Sequence, residues 1–204
     1  ILHYWASPVP GTRLSFYLSS RMQPTISRPR LVELLEGARG MRVAVIGDAM
    51  LDVYLRGDVE RISPEAPVPV VRVRQRAQAL GGAANVAQNV VALGARCELV
   101  AVVGDDIPGG IVRDLLRQLP TDPRAICTVG RPTTTKTRVL ARSQQVVRFD
   151  EEEDEDISGH EIDGLLDVVG RAVADADAVV LEDYNKGVLV PRVIRRAIDG
   201  ARDK

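Results

Sequence analysis

The spacing of apolar residues changes along the chain, and each change marks an element. In 30–39 (RLVELLEGAR), Leu31, Leu34 and Leu35 fall on one face of a short helix that Gly40 stops. RVAVIGD (42–48) is a continuous apolar run ending in Gly-Asp, the pattern of a parallel strand buried on both faces. From 53 to 76 the character changes. VPVVRVR (68–74) alternates apolar and basic residues like a half-exposed strand. Pro64, Pro67 and Pro69 confine that stretch to loops and sheet edges, so it predicts a small excursion from the main sheet.

GAANVAQNVVAL (82–93) predicts a buried helix closed by Gly94, and CELVAVVG (97–104) the next core strand. Asp105-Asp106 can cap a helix from about Pro108 to Gln118. TKTRVLAR and QQVVRFD (135–150) predict two strands joined by a tight turn near Ser143, completing the small sheet begun at 53. The acidic run Asp150–Asp156 reads as a solvated loop, since like charges repel and stay wet. Ser158-x-x-Glu161 has capping-box spacing and opens a helix to about Ala174. ADAVVLEDY (176–184) is a third core strand, followed by a helix over 191–201. Strands alternating with helices predict an α/β fold with a mostly parallel sheet and a small β lid, about 53–76 and 135–150.

Composition narrows the function classes. The 204 residues suffice for one sizeable core. A net charge of −1 and 3% aromatic residues argue against nucleic acid and anionic membrane surfaces as partners. No apolar run approaches the ~18 residues of a membrane span. Ile1 to Arg21 lacks the continuous apolar stretch of a signal peptide, so a cytoplasmic protein is expected. Residues 1–29 read as a disordered or non-native extension, with Met22 a candidate start. Cys97 and Cys127 have no metal-ligand spacing and read as buried thiols. His3 and His160 are the only histidines, which leaves no support for a Ser-His-Asp triad or a zinc site, and neither GxxxxGK[ST] nor GxGxxG occurs.

The strongest chemical motif is GGAANVA, 81–87. Gly81 and Gly82 let backbone approach a ligand closely, the following helix start offers free N–H groups, and Asn85 both donates and accepts, which suits a sugar hydroxyl. A Gly-rich turn with a capping Asn explains the same residues. Asp48 and Asp52 follow the first strand, where a carboxylate accepts hydrogen bonds from hydroxyls or caps a turn. Lys136 and Arg138 alternate on a lid strand and either face an anionic ligand or sit as solvated edge cations, as do Arg72 and Arg74. Asp183 to Gly187 follows a core strand, at the strand end where open α/β sheets bind ligands; a plain turn with Gly187 left-handed is the other reading.

Gly81-Gly82-Ala83-Ala84-Asn85-x-Ala87-x6-Gly94-x9-Gly104 resembles the first signature of the ribokinase (phosphofructokinase B) sugar kinases. Gly47-x4-Asp52 and Gly104-Asp105-Asp106-x-x-Gly109 resemble further family stretches in the same order. The blocks 47–71, 133–150 and LEDYNKG (181–187) are similar to the kinase domain of bacterial ADP-heptose synthesis. The resemblance covers about 30–204. It implies a three-layer ribokinase-like fold and transfer of phosphate from ATP with Mg²⁺. The acceptor would be the anomeric hydroxyl of D-glycero-D-manno-heptose 7-phosphate, a lipopolysaccharide precursor. It also implies sugar contacts at Asp52, Gly81, Gly82, Asn85 and Asp48, a sugar-phosphate contact at Lys136 and Arg138, and Asp183 and Lys186 near magnesium and the transferring phosphate.

The family's Gly-Ala-Gly-Asp stretch, which supplies an anion hole and the catalytic base, does not occur, nor does its Asn-x-x-Glu motif. The chain therefore reads as incomplete at its C-terminal side, with the base expected beyond Lys204, no certain metal ligand, and no activity alone. Lids of this family often pair between subunits, which implies a homodimer through the lid. Two other readings stay open: another kinase of the family, acting on ribose, fructose or a nucleoside, and a non-catalytic sugar-phosphate-binding module.

Overall fold

The computed structural model describes residues 26–121, 126–142 and 144–202. The expected N-terminal extension through residue 25 and the turn residue Ser143 lie outside them. In chain order the elements are α1 (Arg28–Ala38), β1 (Arg42–Gly47), β2 (Ala49–Ile62), β3 (Pro69–Gly82), α2 (Ala83–Ala92), β4 (Arg96–Gly104), α3 (Ile107–Leu116), β5 (Ile126–Val129), β6 (Thr135–Ala141), β7 (Gln144–Glu151), α4 (Gly159–Asp175), β8 (Ala178–Glu182) and α5 (Pro191–Arg202).

One sheet is wholly parallel, in the order β5-β4-β1-β8. Alternation along its strands sends side chains into two cores. Ala44, Ile46, Val100 and Val102 pack with Leu165, Val169 and Val173 of α4 and Val193 of α5. Val45, Leu99, Ala101 and Val103 pack with Ala83, Ala84 and Ala87 of α2 and Val112 of α3. The three layers expected from the apolar runs follow from this division. Cys97 is buried in β4, where burial, and next the Glu98 charge, push its thiol up to about 12; Cys127 of β5 is only half-buried, and burial raises its thiol too. Among the described residues no helix is long and apolar enough to cross a membrane.

The second sheet has the order β3-β2-β6-β7, with β2–β6 parallel and the flanking pairs antiparallel. It is the lid, and it is larger than the pattern predicted. Residues 49–62 form a full strand, and β3 runs on through Gly82. LDVYLR does alternate, but register irregularities at Arg56/Gly57 and Val59/Arg61 break the period and hide the strand. The edge strands and hairpin end leave Ile62, Val73, Val147 and Phe149 exposed.

The first helix forms as expected, and the expected cap of α4 is corrected. Helix α1 forms behind Ser27, but it buries nothing, and Leu31 is 47% exposed. Ser158 makes no capping bond to α4, and the Glu161 carboxylate instead accepts the Gly130 N–H at 2.9 Å. The spacing was right for a capping box, but a tertiary donor took the carboxylate.

Candidate active site

Asp48 is the pivot of the site. It lies between β1 and β2 and is 1% exposed. Its N–H donates to the Glu182 carbonyl at 3.1 Å, and its carbonyl accepts the Ala83 N–H at 2.9 Å. Its carboxylate accepts the N–H groups of Tyr184 (2.7 Å), Lys186 (3.2 Å) and Val188 (3.3 Å). One residue thus ties the ends of β1 and β8 to the start of α2 and to the loop after β8. A carboxylate this buried needs such donors to offset its lost hydration. Both oxygens are engaged, so Asp48, expected as a sugar ligand, is a positioning residue instead.

The lid presents a charged face to this loop. Register places Asp52 opposite Lys136 and Lys136 opposite Asp150, and Tyr54 opposite Arg138 and Arg138 opposite Arg148. Directly opposed residues share a face, so these six form two cross-strand rows. Arg138 donates to Asp52 Oδ1 at 2.6 Å and lies 5.4 Å from the centre of the Tyr54 ring. The expected sugar acceptor and the expected phosphate cation therefore hold each other. Lys136, only 8% exposed, donates to Asp150 at 3.1 Å and to Glu152 at 2.6 Å. Lys186 donates to Glu152 at 2.9 Å and to Asp154 at 2.6 Å. Arg148 grips Asp150 with two bonds, 2.8 and 2.6 Å.

The acidic run is exposed, as expected, except at half-buried Glu152, but Asp150, Glu152 and Asp154 also neutralise the cations of the site. The alternation of β7 continues one step past its end, which was the available signal for Glu152. Tyr54 and Arg131 were also missed. Arg131 bonds the carbonyl of Glu155 at 2.5 Å and that of Lys186, joining the acidic segment to the loop.

Charge pairing sets the titration of this network. The Arg148 bonds, and then Lys136, hold the Asp150 carboxyl far below the usual range. Lys136 and then Lys186 lower Glu152, while Asp154 and then Glu152 raise the Lys186 ammonium. Depressed carboxyls contribute stability that is present above their unfolded values of about 4 and lost as pH falls through the folded ones. Thermal unfolding between pH 7 and 2 is expected to show the midpoint falling below about pH 4, and Asp150→Asn should flatten that fall. An unchanged acid limb in the variant would mean that the ladder adds nothing.

The glycines keep Asp52 approachable. They are not a turn before the helix, for Gly81 and Gly82 pair with Met50 and Ala49 as strand residues. A Cβ at Gly81 would stand 3.2 Å from the Asp52 carboxylate. At Gly82 the φ of +55° and the adjacent Asp48 carbonyl both exclude a side chain. Asn85 is exposed in the first turn of α2. Asp183 is also exposed and accepts its own loop's Asn185 N–H at 2.7 Å, and Gly187 is left-handed at φ +73°. Arg74 and Arg72 pair with Asp58 and Glu60 on the lid, away from these residues. Asp106 caps α3 at Gly109 N (2.7 Å) and takes both the N–H (2.8 Å) and the hydroxyl (2.6 Å) of Thr133, which fixes the approach to β6. Among the described residues no three His, Cys, Asp or Glu side chains converge as a metal set, and Asp183 spends an oxygen on its own loop. Mg²⁺ takes only one or two protein carboxylates, with phosphate oxygens and water completing its shell, and the exposed Asp183 would be such a ligand were the ion bound here.

A family model described as pfkB family carbohydrate kinase matches residues 41–201. The chain is 45% identical over 169 residues to the bifunctional protein HldE of Rhodospirillum rubrum, covering 82% of this chain and 34% of that protein. It is 48% identical over 159 residues to the D-beta-D-heptose 7-phosphate kinase of Bordetella bronchiseptica, covering 77% and 50%. The chain thus spans a third to a half of the length of these relatives. Among solved structures, a putative phosphofructokinase from Staphylococcus aureus superposes with a TM-score of 0.61 at 13% identity, over 79% of this chain and 51% of that one. Arabidopsis thaliana ribokinase, solved with ribose and ATP, gives 0.55 at 16% identity, over 80% and 51%. The fold is ribokinase-like.

Proposed function

The chain belongs to the pfkB family of carbohydrate kinases, and on that premise we propose that its protein transfers phosphate from ATP to a sugar phosphate. The acceptor proposed is D-glycero-D-manno-heptose 7-phosphate, at its anomeric hydroxyl. The carrying observation is the register that sets Lys136 directly opposite Asp52. A residue whose carboxylate can accept sugar hydroxyls and one whose cation can hold a phosphate thus sit side by side on adjacent strands, whose backbones run about 4.8 Å apart. A neutral sugar has no use for that second group. Phosphoryl transfer depends on positioning and charge stabilisation, and these residues supply the acceptor side of it. With no Gly-Ala-Gly-Asp stretch in the sequence, turnover by these residues alone is not part of the proposal.

The test is ADP release by the full-length gene product with heptose 7-phosphate, heptose, ribose and fructose. The expected result is a preference of at least about tenfold for the phosphorylated heptose, the value of one well-made charged contact. Equal rates on ribose or fructose would place the protein in another branch of the family. Sugar-phosphate binding without turnover would make it a binding module.

A further inference from the structure

Glu152 bridges two cations that the fold brings from separate places. Its Oε2 accepts from Lys136 at 2.6 Å and its Oε1 from Lys186 at 2.9 Å. Lys136 stands on lid strand β6; Lys186 stands in the loop that Asp48 holds. Among the described residues Glu152 alone bonds both. Asp150 takes Lys136 with Arg148, and Asp154 takes Lys186 alone. Both lysine side chains are only 11% exposed.

Two fixed ammonium groups sharing one anion, with one oxygen for each, make the same demand that a phosphate monoester meets with its own oxygens. The cavity that Lys186 lines with Asp48, Thr133, Thr134 and Val188 is about 10 Å³, room for one water at most, so it cannot take a phosphate. A phosphate that bonds both ammonium groups where the Glu152 carboxylate now bonds them must replace it. Glu152 is placed to leave. It is the first residue past β7 and makes no ladder contact, and the next backbone anchor downstream is the Arg131 bond to Glu155.

We propose that Glu152 is the resident occupant of a phosphate-monoester site formed by Lys136 and Lys186, and that the acceptor's phosphate displaces it. The arrangement selects by charge. A neutral or singly charged group gains too little to evict a carboxylate already holding both lysines, whereas a dianion gains more. The identity of the acceptor rests on the carbohydrate-kinase reading, but the anion site does not.

The test uses the full-length protein and inorganic phosphate, with binding measured by calorimetry and therefore independent of turnover. Glu152→Gln keeps the shape and removes the charge, and it is expected to bind phosphate about three- to tenfold tighter. Adding Lys186→Met should abolish that gain. In turnover assays the KM for a phosphorylated acceptor should fall relative to that for its unphosphorylated counterpart, a split that a merely structural tie would not produce. Should Glu152→Gln fail to fold, Glu152→Asp, too short to span both lysines, is expected to show the same gain. Weaker or unchanged phosphate binding by a folded variant would overturn the proposal, and so would a fall in the KM for ATP in place of the acceptor's. Tighter phosphate binding with no turnover on any sugar would sustain the site and refute the kinase reading.

Discussion

Asp48→Ala is expected to cost the fold about 2–5 kcal/mol, a large share of a domain's ordinary stability. The loss does not come from the carboxylate itself. It comes from the N–H groups of Tyr184, Lys186 and Val188, which would lose their acceptor. Orphaning a buried donor costs roughly 1–3 kcal/mol. Val188 is buried and carries the full penalty, while water can reach the N–H of half-exposed Lys186 and exposed Tyr184 and relieve part of theirs. Asp48→Asn tests the account, because its amide keeps one acceptor oxygen but turns an NH₂ toward the remaining donors. It should fall between wild type and Asp48→Ala. Urea unfolding reads the result as a shift in midpoint at unchanged slope. A loss under about 1 kcal/mol for Asp48→Ala would show that the loop holds itself.

The same residue shows what the sequence could and could not reveal. The central parallel strands were legible because both faces of β1 and β4 meet helices, and a run such as RVAVIG suits that double burial. The Gly81–Asn85 motif was legible because its spacing is constrained. Asp48 was misread because an Asp after a strand looks the same whether it faces a ligand or three backbone donors some 136 to 140 residues away. Glu152 was missed for the opposite reason. Seven consecutive residues rich in acid look like a wet surface, and only the tertiary approach of Lys136 and Lys186 makes one of them special. Strand β2 was hidden by its own irregular register. In each case the missing information was a long-range partner, which no local period encodes.

Asp52→Ala is expected to lower kcat/KM of the full-length protein roughly a hundredfold, with little change in stability. The two effects separate because the carboxylate has two oxygens in different situations. Oδ1 takes the Arg138 guanidinium at 2.6 Å, and Oδ2 makes no hydrogen bond among the described residues and lies on the side that Gly81 keeps clear. The Arg138 pair is partly exposed, 22% and 19%, so its loss should cost no more than about 1 kcal/mol. Hydrogen bonds from sugar hydroxyls to a charged acceptor are worth about 1.5–3 kcal/mol each, about ten- to a hundredfold in rate where they strengthen in the transition state. Arg138→Ala alone would free Oδ1 and unsettle the carboxylate, so a smaller loss of about tenfold follows. The double variant should then be no worse than Asp52→Ala, because an arginine that acts only by orienting Asp52 has nothing left to orient. Kinetics on the two single variants and the double, with melting curves on each, decide the matter. A loss at Asp52→Ala of less than about fivefold would mean that the sugar is held elsewhere. Fully additive losses would mean that Arg138 touches the substrate on its own account, as a cation on the same lid face as Lys136 is placed to do.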